Sequence, residues 1–131
     1  MLRFFLSEKD PAQLLHYGDE VQVTPLNSCC LIVVAYDSGD VYAQHCAGSD
    51  LSNLNNLFFR SDALEAIMVS GPESEYQVNQ AHQFQLHPRI RSAVLHYYAY
   101  NWENYPMPVV KVESTGKLTL ESEKSYHLVC Y

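Results

Sequence analysis

The stretch CCLIVVAYDSGDVYAQHCAG, residues 29–48, limits what this chain can fold into more than any other segment. Its first half is a near-continuous run of β-branched and other apolar residues. A run of that kind suits a strand covered on both faces, and so belongs inside a sheet. Asp37, Ser38, Gly39 and Asp40 then supply turn chemistry, and VYAQHCAG returns as the partner strand. The sequence therefore predicts a β-hairpin with a central first strand.

Parity within that hairpin decides which cysteine can meet His45. A loop of even length centred on Ser38 and Gly39, bracketed symmetrically by Asp37 and Asp40, pairs Tyr36 with Val41, Ile32 with His45 and Cys30 with Ala47. Cys30 and His45 then share a face as diagonal neighbours, and Cys29 points to the opposite one. An odd loop shifts the register by one residue and brings His45 onto the face of Cys29 and Leu31. The symmetric aspartates favour the even register.

A cysteine within reach of a histidine is a candidate nucleophile, because imidazole can take the thiol proton and the thiolate attacks carbonyl carbon. Cys30 follows the turn-rich TPLNS, so nearby backbone N–H groups are available to a developing oxyanion. The hydroxyl of Thr24, or a backbone carbonyl near it, can orient the second ring nitrogen of His45. No carboxylate is required for such a triad.

These residues resemble a known group. T-P-L-N-S-C-C, followed by a strand, a turn and Q-H-C-A-G, is similar to the catalytic region of the bacterial glutamine deamidases that share the cytotoxic necrotising factor and chemoreceptor deamidase fold. The match covers about 25 residues. It implies an α+β sandwich with helices packed outside, and hydrolysis of a glutamine or asparagine side-chain amide on a protein substrate, with a toxin or effector role as a further expectation from the family. Carried over, Cys30 is the nucleophile, His45 the base and Thr24 the orienting group. NSCC lacks the glycine of the pattern, however, and aligning L-N-S-C on L-S-G-C makes Cys29 the alternative nucleophile.

Other readings of the same residues stand beside this one. Free cysteine is among the most buried residue types, so Cys29 and Cys30 also fit plain core packing. A metal nest of Cys29, Cys30, His45 and Cys46 is the poorest account, because adjacent cysteines on a strand diverge and no C-x-x-C or H-x-x-x-H spacing converges ligands. No cofactor is expected. The competing function is a non-enzymatic interaction module, such as an acidic inhibitor or immunity-type protein. It would use the aromatic cluster of Tyr97, Tyr98, Tyr100, Trp102 and Tyr105 as a contact patch.

The remaining chain is read more coarsely. Asp10 as an N-cap, Pro11 at the first helical position and Gly18 as a stop predict a short helix, and EVQVTPL predicts a strand ended by Pro25. ALEAIMVSG reads as helix then strand. HPRIRSAVLHYYAYNW places Ile90, Ala93, Val94, Tyr97 and Tyr98 at helical spacing and predicts the main helix. A hairpin of Val110 and Val112 against Leu118 and Leu120 follows, and YHLVCY is a last strand. The class expected is α+β, a mixed or antiparallel sheet sandwich with a few outer helices, in one domain spanning residues 1–131.

Charge and hydropathy exclude several classes. Eight basic against fifteen acidic residues give a net charge of −7, which opposes binding to a phosphate backbone and makes nucleic acid an unexpected partner. No apolar run approaches the roughly 20 residues that span a bilayer as a helix. The apolar patch in MLRFFLSEKD is cut off by charge well short of a signal-peptide core. Four cysteines in this context read as reduced thiols, so the expected location is cytoplasmic, or exported without a cleaved signal peptide.

Overall fold

The computed structural model describes residues 2–7, 10–23, 29–46, 62–70, 93–99, 109–113, 118–121 and 127–130. They form ten strands: β1 (Arg3–Leu6), β2 (Gln13–Leu15), β3 (Glu20–Val23), β4 (Cys30–Tyr36), β5 (Val41–Cys46), β6 (Ala63–Ser70), β7 (Val94–Ala99), β8 (Val109–Val112), β9 (Leu118–Glu121) and β10 (His127–Cys130). A four-stranded sheet has the order β1-β3-β8-β9, and a six-stranded sheet has the order β10-β7-β6-β4-β5-β2. The α+β expectation is corrected by this arrangement: the described residues hold two sheets and no helix. Nor, among them, is any helix long and apolar enough to cross a membrane.

β4 lies between β5 and β6, and all seven of its residues are buried. The near-continuous apolar run thus does what its composition demands, since only a strand covered on both faces can hide every side chain. One face carries Leu31, Val33 and Ala35. With Val41 and Ala43 of β5, Ile67 and Val69 of β6 and Leu15 of β2, these pack against Leu6, Val21, Val110, Val112 and Leu118 of the smaller sheet. The two sheets thus close on one shared core, as in a sandwich. The other face of β4 and its neighbours, with Ile32, Val34, Ala66 and Met68, is equally buried.

Three expected helical segments are strands, each for a local reason. Asp10 does not cap forward onto a helix: its carboxylate accepts the Ser7 N–H at 2.8 Å, and its own N–H donates to the Ser7 carbonyl at 3.1 Å. A helix this short would be marginal without its cap. Gln13–Leu15 instead pairs antiparallel with Val41–Ala43. Gly18 terminates no helix; with φ of 86° it is the third residue of a turn closed by the Asp19 N–H to the His16 carbonyl at 2.9 Å. ALEAIMVS is one unbroken strand, antiparallel to β4 and parallel to β7. In VLHYYA the helical spacing yields to the strand preference of Val and Tyr, which pair along β6. The strand at Glu20–Val23, the hairpin pairing Val110 with Leu120 and Val112 with Leu118, and the last strand at His127–Cys130 match the sequence reading. The remainder of the expected main helix and Tyr100, Trp102 and Tyr105 lie outside the described residues.

Asp19 ties the smaller sheet together where the chain crosses from β2 to β3. Its buried carboxylate accepts the N–H of Leu2 at 3.0 Å and of His16 at 2.8 Å, while its carbonyl accepts the Val112 N–H at 3.0 Å. Burial alone raises its pKa, but the bonds from the His16 and Leu2 N–H groups, with the His16 ring nearby, hold it below the ordinary value. A depressed carboxyl stabilises the fold fully above its unfolded pKa and loses that contribution as pH falls through the folded value. Asp19→Asn, whose amide cannot accept both N–H bonds, is expected to lower stability at neutral pH by about 1–3 kcal/mol. The gap from wild type should narrow as pH falls below the unfolded carboxyl value toward the depressed folded value of Asp19. Urea titrations of both proteins at pH 7 and pH 3 check this.

Candidate functional site

The turn that joins β4 to β5 has three residues rather than an even number. Gly39 donates to the Tyr36 carbonyl at 3.0 Å, Tyr36 donates to the Asp40 carbonyl at 2.9 Å, and Gly39 has φ of 93°. This is the type I turn followed by a left-handed residue that closes three-residue hairpin loops. Asp62 clasps it from outside, its carbonyl accepting from Asp37 at 2.8 Å and its carboxylate from Ser38 at 3.2 Å. Ala35 therefore pairs with Val41, Leu31 with His45 and Cys30 with Cys46.

That register corrects the expected pairing of Cys30 with His45. The two lie on opposite faces of the hairpin, because Cys30 is opposite Cys46 and its neighbour Leu31 is opposite His45. The symmetric aspartates misled because Gly39 serves as the third loop residue, a role its positive φ permits and Asp40 does not share. Carried back one residue, strand alternation sets Cys29 on the Leu31 face, diagonal to His45. Diagonal neighbours have α-carbons about 7–8 Å apart, within side-chain reach. Cys29 indeed packs against the core between the sheets and is half-buried.

His45 sits almost wholly within that core, 5% exposed. Its Nδ1 lies 3.0 Å from the carbonyl oxygen of Leu6, on the opposing sheet. A carbonyl can only accept, so Nδ1 carries the proton and Nε2 of the neutral ring keeps its lone pair. Among the described residues Nε2 is buried and has no hydrogen-bond partner. A ring nitrogen left in that state costs stability unless something else meets it. Among the described residues the group that meets His45 Nδ1 is thus a main-chain carbonyl; Thr24, the expected orienting group, lies outside the described residues. Leu6 pairs with Val23, which sets this carbonyl on the strand beside the residue preceding Thr24. A backbone acceptor carries no side-chain signature, so only the pairing of β1 with β3 could have revealed it.

Cys30 and Cys46 form a separate pair on the opposite face, each 2% exposed. The Cys46 thiol donates to the Gln44 carbonyl at 4.0 Å, while this neighbouring thiol and burial push the Cys30 thiol well above its ordinary range. Such a thiol is a poor nucleophile at neutral pH. Cys29, Cys30 and Cys46 are in no disulfide among the described residues. Among the described residues no group of His, Cys, Asp and Glu converges to hold a metal ion. Tyr98 of the aromatic cluster is half-buried against the core between the sheets.

No protein-family model matches this chain, and no curated protein matches it. Two outcomes follow from the geometry. Gly39→Ala meets no atom within 4 Å, so its whole cost is the strained φ, about 1–2 kcal/mol, readable as a lower urea midpoint. His45→Leu leaves the Leu6 carbonyl without its donor but removes the unpartnered Nε2. It should therefore shift stability by no more than about 1 kcal/mol in either direction, whatever it does to activity.

Proposed function

We propose that the protein is a cysteine-dependent deamidase acting on the side-chain amide of a glutamine or asparagine in a protein, with Cys29 as nucleophile and His45 as base. The observation that carries this reading is the state of His45: Nδ1 is held by the Leu6 carbonyl, and Nε2 is buried and, among the described residues, without a hydrogen-bond partner, on the face that Cys29 shares. A ring so fixed is ready to accept one proton at one atom, which is what a thiol nucleophile requires of its partner. The assignment of Cys29 also agrees with aligning L-N-S-C on the deamidase pattern. The raised pKa of the Cys30 thiol speaks against the other alignment.

The chemistry then runs in two halves. His45 Nε2 takes the Cys29 proton, and the sulfur attacks the amide carbon to give a tetrahedral oxyanion. Collapse breaks the C–N bond as Nε2–H protonates the departing nitrogen, which leaves as ammonia and a thioester remains. Water, deprotonated by the same Nε2, attacks the thioester carbon; the C–S bond breaks, the proton returns to sulfur, and the substrate side chain is now a carboxylic acid. One water is consumed and one ammonia released. The Leu6 carbonyl steadies the imidazolium in each half, the role a carboxylate plays in other triads.

Iodoacetamide labelling as a function of pH tests this. Cys29 should label at a pH below that of an ordinary thiol, about 8.5, and His45→Ala should move its profile up to the ordinary range. Cys29→Ala should abolish the low-pH labelling, whereas Cys30→Ala should leave it in place. Thiols that are all inert, or a Cys29 profile indifferent to His45, would return the chain to the interaction-module reading.

A further inference from the structure

We infer that Cys30 and Cys46 are a disulfide-forming pair, closed across the hairpin by exchange with a small disulfide of the oxidised glutathione type. The pair is independent of the deamidase reading, since it occupies the other face of the hairpin and shares no atom with Cys29 or His45. Three observations carry it.

Cys30 and Cys46 are directly opposite in the antiparallel register. Directly opposite residues have α-carbons about 4.5–5.5 Å apart, inside the range of roughly 4.4–6.8 Å that a disulfide spans. No backbone shift is needed to bring them together. As directly opposite residues they stand on one face of the hairpin, so their side chains project to the same side rather than diverging. Both are free, and the bond is therefore available to be made.

Access comes from the sheet edge. Cys30 is flanked by Cys46 on one side and Ser70 on the other, whereas β2 covers β5 only from Val41 to Ala43. Among the described residues nothing pairs with the outer side of β5 at Gln44–Cys46. Strand ends with one pairing partner open locally far more readily than the whole fold does, so Cys46 is the thiol that meets solvent first. The Cys46 thiolate attacks one sulfur of oxidised glutathione, breaking its S–S bond and releasing one glutathione thiol. The Cys30 thiolate then attacks the Cys46 sulfur of the mixed disulfide, and the second glutathione leaves. Two protein thiols are oxidised, one small disulfide is reduced, and the two thiol protons end on the two glutathiones. The high thiol pKa of Cys30 makes the second step slow at neutral pH and faster as pH rises.

The full chain, fully reduced, is incubated in reduced and oxidised glutathione at graded ratios, quenched with iodoacetamide, digested and read by mass spectrometry. The expected product is a Cys30–Cys46 cross-linked peptide, lighter by two hydrogens than its reduced parts, which persists in Cys29→Ser and vanishes in Cys30→Ser. Its yield should rise with pH at a fixed ratio. Three results overturn the inference: complete alkylation of Cys30 and Cys46 after prolonged oxidation, a glutathione adduct on Cys46 that never resolves, or a bridge lost in Cys29→Ser. The wild-type and Cys29→Ser measurements decide the matter even if Cys30→Ser fails to fold.

Discussion

The three-residue turn at Asp37–Gly39 is the constraint on which the rest depends. β4 is apolar on both faces, so its own pattern does not choose between two registers one residue apart. Either face could line the core between the sheets. The choice falls to Gly39, whose left-handed φ makes the loop odd, and to Asp62, which holds the turn from the next strand. From that choice follow the pairing of Leu31 with His45 and of Cys30 with Cys46, and the placement of Cys30 and His45 on opposite faces of one hairpin.

His45 is a polar residue in a core position. Its ring fills space beside Leu31 and Ala43 as an apolar side chain would, yet it brings two nitrogens that must be accounted for. One is satisfied across the sandwich by Leu6, a contact that also joins the two sheets. The other is not satisfied within the described residues. Natural cores rarely carry such a group without use, which is why the orphaned nitrogen weighs more here than proximity to any particular cysteine.

How much of this was legible beforehand varies by element. The hairpin of β4 and β5, and the pairing of Val110 and Val112 with Leu120 and Leu118, could be read because β-branched runs and alternation are local signals. Gln13–Leu15 and Val94–Ala99 could not, because each is a strand by virtue of a partner distant in sequence: Val41–Ala43 for one, β6 for the other. The aromatic spacing of Tyr97 and Tyr98 satisfies a helix as well as a strand, and only the unpaired side of β6 decides. At the site, Cys29 and His45 were visible as residue types. Their common face depended on a loop length that Asp37 and Asp40 made look even, and the Leu6 carbonyl carried no sequence signal at all.

Among the described residues β1 is a four-residue strand at the outer edge of the smaller sheet, paired with β3 alone and tied to it by the Arg3–Glu20 ion pair, with the Leu2 N–H held by Asp19. Edge strands of this length detach at far lower free energy than a core strand. When β1 lifts away, the Leu6 carbonyl leaves His45, and the imidazole is free to move its proton between its two nitrogens. The tautomer of a buried ring is thereby linked to the fraying of a strand on the far sheet. A change that only loosened Arg3–Leu6 would alter the proton chemistry at His45 without touching any residue beside it.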